Sequence, residues 1–288
     1  MNGFDCWALL QWAAPLRGLR VVGFRHVRGQ VCKRIRGRIA ELGLGDVAQY
    51  RAFLEATPEE WCVFDGLSVV TVSRFYRDAA VWEALRDVVL PCVAEAALAA
   101  GERTLSFWSA GCASGEEAYT LSMLWAFELA PRYPGLGLRI LGTDVDAEVL
   151  ERARKARYAP ATLRDLPDGW RERAFEATVG PSPLVELREQ YRQCVELRRE
   201  DVRQRTPDER FHIIACRNMV FTYFEEAAQR RVLDGLLPCL HPSGVLISGL
   251  EERVPAGTGL EPWRDGLPFY RRVRSGSAPR GFVDGPLG

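Results

Sequence analysis

The feature that most constrains the fold is an alternation of short apolar runs with longer helix-favouring ones, which begins near residue 104. Strands are predicted at 104–110, 138–145, 211–218 and 244–250, with a last one near 268–273. Helices are predicted at 81–99, 116–130, 147–158 and 225–240. Strands that alternate with helices form βαβ units, so this region is predicted to be α/β with a mostly parallel sheet. Short alternating apolar residues at 183–201 predict additional antiparallel strands.

The N-terminal part has a different pattern and is predicted to be all-helical. Branched apolar residues recur every four positions from Val27 to Ile39, and a Gly-Leu-Gly-Asp break follows, so residues 24–56 are interpreted as two helices. A third helix is predicted at 58–70. The chain is therefore divided into a helical domain, residues 1–78, and an α/β domain, residues 79–288.

The charge of the chain is balanced overall, with 38 basic and 38 acidic residues, but its N-terminal part is basic. Between Cys6 and Ala40 there is no acidic residue, whereas eight basic ones occur: Arg17, Arg20, Arg25, Arg28, Lys33, Arg34, Arg36 and Arg38. A neutral protein with one basic end often presents it to an acidic partner. Overall neutrality and the lack of interleaved aromatic residues argue against a nucleic-acid partner.

Several classes of protein are disfavoured by composition. No apolar run reaches the roughly 18–20 residues that span a bilayer, so no membrane insertion is expected. An aspartate at position 5 and the lack of a basic leader segment argue against a signal peptide. The eight cysteines form no C-x-x-C pair, so neither a zinc site nor a disulfide framework is predicted. Reduced thiols in the cytoplasm are expected.

The turn after the first predicted strand carries two glycines and two glutamates, in Gly111-Cys112-Ala113-Ser114-Gly115-Glu116-Glu117. Glycines four apart let the backbone turn tightly and approach a ligand. Ser114 with Glu117 also fits a capping box for the next helix, so a structural role stays open. The spacing does not match the G-x-G-x-x-G fingerprint, and acids stand where a pyrophosphate would lie. A phosphate-free ligand with a positive or zwitterionic end fits better.

Polar residues also end two of the other predicted strands. Asp144 follows the strand at 138–145, where a carboxylate can accept both hydroxyls of a ribose, and Asp146 fits the N-cap of the next helix. Arg217 and Asn218 end an otherwise apolar strand, which is costly unless they are paired or face a cleft. Because ligands of open α/β sheets bind at the carboxyl ends of strands, these features predict a nucleoside-type cofactor.

Together the motifs resemble the CheR-type protein-glutamate O-methyltransferases of bacterial chemotaxis, which use S-adenosyl-L-methionine. The resemblance covers nearly the whole chain and depends mainly on two segments, WSAGCASGEEAYTLSML and IIACRNMVFTYF, supported by VTVSRFYRD, LGTDVDAEVLERARKARY and LHPSGVLISGLEE. It implies a Rossmann-like methyltransferase domain with a mostly parallel sheet, preceded by a small all-helical domain. It also implies that the basic N-terminal helices dock on an acidic helical substrate, a chemoreceptor-like protein.

The resemblance implies a role for each matching residue. Cofactor contacts are expected from Ser73, Arg77, Gly111, Gly115, Glu116, Glu117, Asp144, Asp201, Val202 and Asn218. Of these, Asp144 would bind the ribose, and Asp201 with Val202 the adenine. Glu117, with Glu116, would face the methionine end. The expected catalytic residues are Arg77, which would orient the acceptor carboxylate, and Tyr223, which would form a second wall of the pocket.

A glutamate acceptor makes limited chemical demands on the site. Its reference pKa is about 4.3, so it is ionised near neutral pH and needs no general base to attack a sulfonium methyl group. The sequence agrees, because none of the three histidines lies in a motif, and His212 within an apolar strand is interpreted as structural.

Two departures from the family pattern leave the acceptor open. Five residues rather than four lead from Asn218 to Tyr223, so either Tyr223 or Phe221 lines the acceptor pocket. Gly-Leu-Glu-Glu at 249–252 replaces the more usual Gly-His-Ser-Glu. The alternative functions are methylation of a small carboxylic acid or of a non-receptor protein, and a non-catalytic cofactor-binding signalling module.

Overall fold

The structure, a computed structural model, describes residues 3–68, 73–178, 183–264 and 266–273. Its α-helices are α1 (Gly3–Leu16), α2 (Arg28–Glu41), α3 (Val47–Ala56), α4 (Glu60–Ser68), α5 (Ala79–Ala84), α6 (Leu90–Ala99), α7 (Glu116–Leu124), α8 (Ala147–Lys155), α9 (Trp170–Ala174), α10 (Val220–Tyr223) and α11 (Glu226–Cys239). Its strands are β1 (Thr104–Ala110), β2 (Gly137–Asp144), β3 (Arg157–Tyr158), β4 (Phe175–Ala177), β5 (Val185–Leu187), β6 (Val195–Arg199), β7 (Phe211–Ala215), β8 (Leu240–Ile247), β9 (Leu260–Pro262) and β10 (Phe269–Arg272). Two π-helical segments, Leu85–Val89 and Trp125–Leu129, join α5 to α6 and extend α7. Within the described ranges, no helix combines the length and the apolar composition needed to cross a bilayer.

Seven strands form the main sheet, in the order β6-β2-β1-β7-β8-β10-β9. Neighbours from β6 to β8 pair in parallel, and β10 pairs antiparallel with both β8 and β9. The predicted mostly parallel sheet is therefore confirmed. The chain moves outward from β1 to β2 and β6, then returns to β7 on the other side of β1. Ligands of open α/β sheets bind at such a reversal, outside the carboxyl ends of the strands.

Both faces of the sheet are buried, because successive residues of a strand point to opposite sides. Phe107 of β1 packs with α5, α6, α7 and the strands of a second, smaller sheet. Its neighbour Trp108 packs with α1 to α4 and α11. Accordingly, every residue of β7 and all residues of β1 after Thr104 are buried.

The helices on the Trp108 side include those predicted at 24–56. The periodic residues Val31, Ile35 and Ile39 of α2 are buried, and the Asp46 side chain caps α3. The third predicted helix is α4, which ends at Ser68, and the last two residues of that prediction lie outside the described ranges. The sequence pattern does not predict α1, because its apolar residues surround the helix and leave no regular polar stripe.

The segment at 183–201 forms one antiparallel strand, β5, and one parallel strand, β6. As predicted, β5 pairs antiparallel with β3 and β4 in the separate three-stranded sheet. However, β6 pairs in parallel with β2, so the prediction of antiparallel pairing is wrong there. As an edge strand, β6 is only partly covered and alternates apolar with charged residues, a pattern typical of antiparallel strands.

A disulfide joins Cys6 of α1 to Cys32 of α2, which corrects the prediction that the cysteines are reduced thiols. The two residues are 26 positions apart, so their spacing in the sequence does not suggest pairing. Packing of α1 on α2 brings their Cα atoms to 5.8 Å, a distance that a disulfide can bridge. The remaining cysteines are free thiols.

Candidate active site

The turn that follows β1 is held against the end of β2. The amides of Gly111 and Cys112 donate to the Thr143 carbonyl at 2.8 and 2.9 Å. Gly111 and Gly115 have φ angles of 85° and 87°, in the left-handed region that glycine adopts without strain. A Cβ on Gly111 would lie 2.8 Å from the sulfur of Met219, so the turn also packs on the segment after β7. The tight turn predicted from the two glycines is confirmed.

The helix after this turn is not capped as predicted. Gly115 occupies the N-cap position of α7, and no side chain caps the helix, so the prediction of a capping box from Ser114 and Glu117 is wrong. Ser114 instead accepts, at its carbonyl, a hydrogen bond from the Tyr158 hydroxyl at 2.7 Å. Left-handed Gly115 lies between Ser114 and the helix, so the serine hydroxyl is displaced from the cap position.

Asp144 ends β2 with its carboxylate turned toward the glycine turn. Its Oδ2 accepts from the Ala113 amide at 2.9 Å, and its Oδ1 accepts from the Asp146 amide at 3.0 Å. Burial raises the pKa of Asp144, and the backbone hydrogen bonds oppose that shift. Asp146 caps α8, as predicted, by accepting from the Glu148 and Val149 amides. Each oxygen of Asp144 can accept a further hydrogen bond, as a ribose diol requires.

Arg217, just after β7, joins three parts of the chain in a buried network. Its side chain is 5% exposed and donates to Asp78 at 2.8 Å and to Glu117 at 3.1 Å. It also donates to the Arg77 carbonyl at 3.2 Å. The other oxygen of Glu117 accepts from the Ser109 hydroxyl at 2.6 Å. Pairing with two carboxylates thus offsets the cost of burying an arginine at a strand end.

Glu116, the first residue of α7, is 4% exposed at the same edge of the sheet. Ser73 lies close enough to this carboxyl to act on its pKa, which brings two of the predicted cofactor residues together. Its Oε2 atom is buried and has no hydrogen-bond partner among the residues that the structure describes. Burial raises the pKa of this carboxyl. A buried acceptor that lacks a donor fits a ligand with a cationic donor.

The segment after β7 carries the residues expected near the acceptor. Asn218 has a left-handed backbone, with φ 55°, and its amide donates to Glu252 at 2.8 Å. Tyr223 is 5% exposed, and burial raises its pKa, whereas the charge of Arg77 acts in the opposite direction. Phe221 is also buried, at 3% exposed. The two predicted catalytic residues therefore lie within electrostatic range of one another.

Asp201 and Val202, expected to contact adenine, lie in the loop after β6. The Arg203 guanidinium donates to both oxygens of Asp201, at 2.9 and 2.7 Å, and the Arg203 amide and Gln204 side chain also donate to them. These contacts lower the pKa of Asp201 against the effect of its burial. Because both carboxylate oxygens are engaged, an adenine contact here would come from the backbone.

One group of possible metal ligands occurs among the described residues, at the opposite edge of the sheet. Potential ligand atoms of Glu102, His212 and His241 lie within 4.8 Å of one another. The Ser106 amide donates to Nδ1 of His212 at 3.1 Å, which leaves the proton of a neutral imidazole on Nε2. That nitrogen lies 2.9 Å from Glu102. A histidine ligand normally donates its second nitrogen's proton, so an Nδ1 that accepts a hydrogen bond argues against metal binding through Nε2.

Two residues of the site do not follow from the sequence reasoning. Arg217 is recognised there only as a polar residue that needs a partner, because Asp78 and Glu117 are distant in the chain. Glu252 is noted only as part of a departure from the family pattern, yet it is 4% exposed and accepts three hydrogen bonds. The available signal is its position, five residues beyond the end of the buried strand β8.

The strand order defines a Rossmann-like α/β domain, and its carboxyl edge is acidic. Residues 71–263 match the family model described as CheR methyltransferase, SAM binding domain. The chain is 32% identical to the chemotaxis protein methyltransferase of Escherichia coli K12, over 79% of this chain and 77% of that one. It is 31% identical to the Listeria monocytogenes protein of the same name, over 68% of this chain and 71% of that one. This chain therefore belongs to the CheR methyltransferase family and is an S-adenosylmethionine-dependent methyltransferase.

A longer relative places the same domain in a larger protein. An uncharacterized 104.1 kDa protein of Rhodobacter capsulatus is 32% identical over 87% of this chain. The chain spans only 26% of that protein's length, about a quarter.

The residues at the carboxyl edge fit S-adenosylmethionine. Three carboxyl groups there, of Glu116, Asp144 and Glu252, have a pKa raised mainly by burial. A sulfonium and an ammonium group would offset that unfavourable burial of negative charge. Within the described part of the chain, the buried Oε2 of Glu116 accepts no hydrogen bond and is the atom best suited to such a donor. Asp144 is the carboxylate best placed for the ribose, for the reasons given above.

Replacing Glu116 with glutamine is expected to stabilise the cofactor-free protein at neutral and higher pH. Burial raises the folded-state pKa above the usual 4.5, so the folded protein holds this proton more tightly than the unfolded chain does. The charged form therefore costs stability above the folded pKa, and the cost disappears as the pH falls below about 4.5. Glutamine keeps a polar group here but removes the buried negative charge, which should raise the free energy of unfolding by about 1–3 kcal/mol. Thermal unfolding between about pH 4 and about pH 9 should show curves that converge in acid.

The same variant is expected to bind S-adenosylhomocysteine about tenfold more weakly, because a charge-assisted hydrogen bond is lost. Calorimetric titration measures this change. Glu148, exposed on α8, offers the control Glu148→Gln, which should alter neither property. Equal stability of Glu116→Gln and the wild type at high pH would contradict the assigned cost of this carboxylate.

Proposed function

We propose that this protein transfers the methyl group of S-adenosylmethionine to a glutamate side-chain carboxylate of a chemoreceptor-like protein. The observation that carries the proposal is a basic helix beside the candidate acceptor residues. Helix α2 has no acid before Glu41 and presents Lys33, Arg34 and Arg36 to solvent. Burial raises the pKa of Tyr223, and the positive charge of Arg34 opposes that shift. The basic surface of α2 therefore extends close to Tyr223.

The chemistry of the partner follows from that surface. An acidic helical segment complements exposed arginines and lysines, which would speed its encounter and select it over neutral surfaces. The names of the Escherichia coli and Listeria monocytogenes relatives support a substrate within chemotaxis signalling. Residues 1–78 are proposed as the docking part and residues 79–288 as the methyltransferase part.

The cofactor is proposed to lie along the carboxyl ends of β1, β2 and β7. Gly111 and Gly115 shape the turn beneath it, and Asp144 accepts the ribose hydroxyls. The methionine end is proposed to meet Ser73, Glu116 and Glu117. The adenine is proposed to contact Asp201 and Val202 through their backbone, and Asn218 and Arg77 would contact the cofactor near its methyl group.

The chain supplies orientation rather than proton transfer. S-adenosylmethionine supplies a methyl group on a sulfonium sulfur, and the carbon–sulfur bond breaks to leave a neutral thioether as a carboxylate oxygen bonds to carbon. The acceptor is already ionised near neutral pH, so no residue need remove a proton. Arg77 is proposed to align the carboxylate, and Tyr223 to bound the pocket and exclude water. Alignment of this kind can contribute up to about 7–11 kcal/mol.

Methyl-labelled cofactor, incubated with the protein and acidic helical receptor fragments, tests the proposal. Base-labile label on the fragments is the expected result. The triple variant Lys33→Gln, Arg34→Gln, Arg36→Gln should raise KM for the fragments about tenfold or more while S-adenosylhomocysteine affinity stays unchanged. Label only on small carboxylic acids or on unrelated proteins would favour a different acceptor. Cofactor binding with no transfer to any acceptor would favour a non-catalytic signalling module.

A further inference from the structure

The residues between β7 and α11 carry Asn218 and Tyr223, and we call residues 217–224 the acceptor segment. Its helix α10 has a single turn. Such a helix cannot satisfy its own backbone groups, because the terminal amides and carbonyls of any helix lack partners within it. Arg20 supplies partners to the carbonyls at the end of α10, and Glu252 binds the backbone just before it and the Thr222 hydroxyl.

Glu252 holds the start of the acceptor segment from the loop after β8. Its Oε2 accepts from the amides of Asn218, at 2.8 Å, and Gly249, at 2.6 Å. Its Oε1 accepts from the Thr222 hydroxyl at 2.6 Å. The side chain is 4% exposed, so these bonds compete little with water. Glu252 therefore ties both sides of the turn in which Asn218 is left-handed.

Arg20 holds the end of the acceptor segment from the connection between α1 and α2. Its Nη2 atom donates to the carbonyls of Phe221 and Thr222. Its backbone amide donates to the Tyr223 carbonyl at 2.7 Å. One residue of the N-terminal part thus binds three consecutive carbonyls at the end of α10.

The chains on either side of the acceptor segment approach it very closely. A Cβ on Gly23 would lie 2.6 Å from the Thr222 carbonyl oxygen. A Cβ on Gly249 would lie 2.7 Å from Oδ1 of Asn218. The ring of Phe24 lies 5.4 Å from that of Tyr223, centroid to centroid. Arg20 and Glu252 therefore act on a tightly packed element.

We propose that Arg20 and Glu252 are positioning residues, which fix the acceptor segment so that Asn218 meets the cofactor and Tyr223 meets the methyl acceptor. Both act through the backbone of the segment and the Thr222 hydroxyl. The inference rests on the proposed function only in assigning Asn218 and Tyr223 to the active site. Arg20 lies between the disulfide-linked helices α1 and α2. It therefore links the N-terminal helices to the acceptor segment.

Hydrogen–deuterium exchange tests the contacts independently of any activity. Glu252→Ala and Arg20→Ala should each raise amide exchange in residues 217–224 about tenfold or more. Glu252→Gln should stay within about threefold of the wild type, because its carbonyl still accepts both amides and its NH2 group can donate to the Thr222 oxygen. The exposed residues Glu251 and Arg231, replaced by alanine, are matched controls that should leave exchange unchanged.

Kinetics then test the positioning role. Arg20→Ala should lower kcat about 10- to 100-fold with unchanged affinity for S-adenosylhomocysteine, because it frees the Phe221 and Thr222 carbonyls next to Tyr223 while the backbone bond to Tyr223 remains. Glu252→Ala should lower both kcat and that affinity, because it releases Asn218. Arg20→Lys should recover part of the lost kcat, and Glu252→Gln should recover most of it. If the two side chains only stabilised the fold, Arg20→Ala and Glu252→Ala would change kcat and S-adenosylhomocysteine affinity in the same way.

The outcomes are distinguishable. Unchanged exchange in both alanine variants, or raised exchange with unchanged kcat, would overturn the inference. If Glu252→Ala does not fold, Arg20→Ala with Arg20→Lys carries the same test, because the Arg20 side chain is only half buried. A wild-type protein that methylates no acceptor would overturn the proposed function instead, and the exchange comparison would still decide whether the two side chains hold the segment.

Discussion

Replacing Arg217 with alanine is expected to destabilise the protein by about 3–5 kcal/mol, the usual cost of removing one partner from a buried ion network. The side chain is 5% exposed and is the cation between Asp78 and Glu117. Its removal leaves two carboxylates at the candidate site without their shared counter-charge. Urea unfolding at neutral pH measures the loss, and S-adenosylhomocysteine affinity should fall as well, because Glu117 loses one of its two anchors.

A second set of variants identifies the cause. Arg217→Lys should recover only part of the loss, because a single ammonium group cannot make two directed contacts as a guanidinium does. Adding Asp78→Asn and Glu117→Gln to Arg217→Ala should recover stability, since no unpaired charge then remains. Arg231→Ala, at an exposed position on α11, is the control for charge alone. A loss below about 1 kcal/mol for Arg217→Ala would show that the network is not important for folding.

Replacing Asp144 with asparagine is expected to weaken S-adenosylhomocysteine binding about a hundredfold, since two hydrogen bonds to a charged acceptor are worth several kcal/mol. The substitution also opposes the local geometry. Both oxygens of Asp144 accept backbone amides, from Ala113 and Asp146, so the asparagine NH2 group would face one of these donors. Calorimetry gives the affinity, and circular dichroism would confirm that the fold is retained.

The neighbouring acid provides a matched control. Asp146 is exposed and caps α8, and asparagine caps helices about as well as aspartate does. Asp146→Asn should therefore leave S-adenosylhomocysteine affinity within about twofold and stability within about 0.5 kcal/mol. Equal effects of the two substitutions would contradict the assignment of the ribose to Asp144 alone.

The sequence predicts the sheet well where its strands are buried on both faces. A strand as apolar as β7 is not expected to be solvent-exposed, and its alternation with helices implies parallel pairing. The same reasoning fails for β6, whose alternating pattern reflects an edge position. It also fails for the Cys6–Cys32 disulfide, because nothing in a spacing of 26 residues shows that α1 and α2 pack together.

The candidate site, like the sheet, could be predicted only in part from the sequence. That Asp144, Asn218 and the glycine turn meet at one edge follows from parallel strands alone. The partners of individual side chains do not follow, because they depend on three-dimensional packing. Arg217 pairs with Asp78, which lies just before α5. Glu252 accepts a hydrogen bond from the Thr222 hydroxyl, thirty positions earlier in the chain. The failure of the Ser114 cap is more local, since it arises from the left-handed backbone of one glycine.

The covering of the Trp108 face by α1 to α4 has a consequence for the evolution and engineering of this protein. These helices carry the basic surface that is proposed to dock the substrate, and their apolar residues also pack in the core on one side of the sheet. They therefore cannot be exchanged as an independent cassette, because their apolar residues form one hydrophobic core with Trp108, Leu141 and Ile214. New partner preferences would have to arise by substitutions on the outer surface of α2, with its inner stripe kept. The outward-facing side chains of α2 could thus change the choice of partner, while its inward-facing side chains continue to support the core.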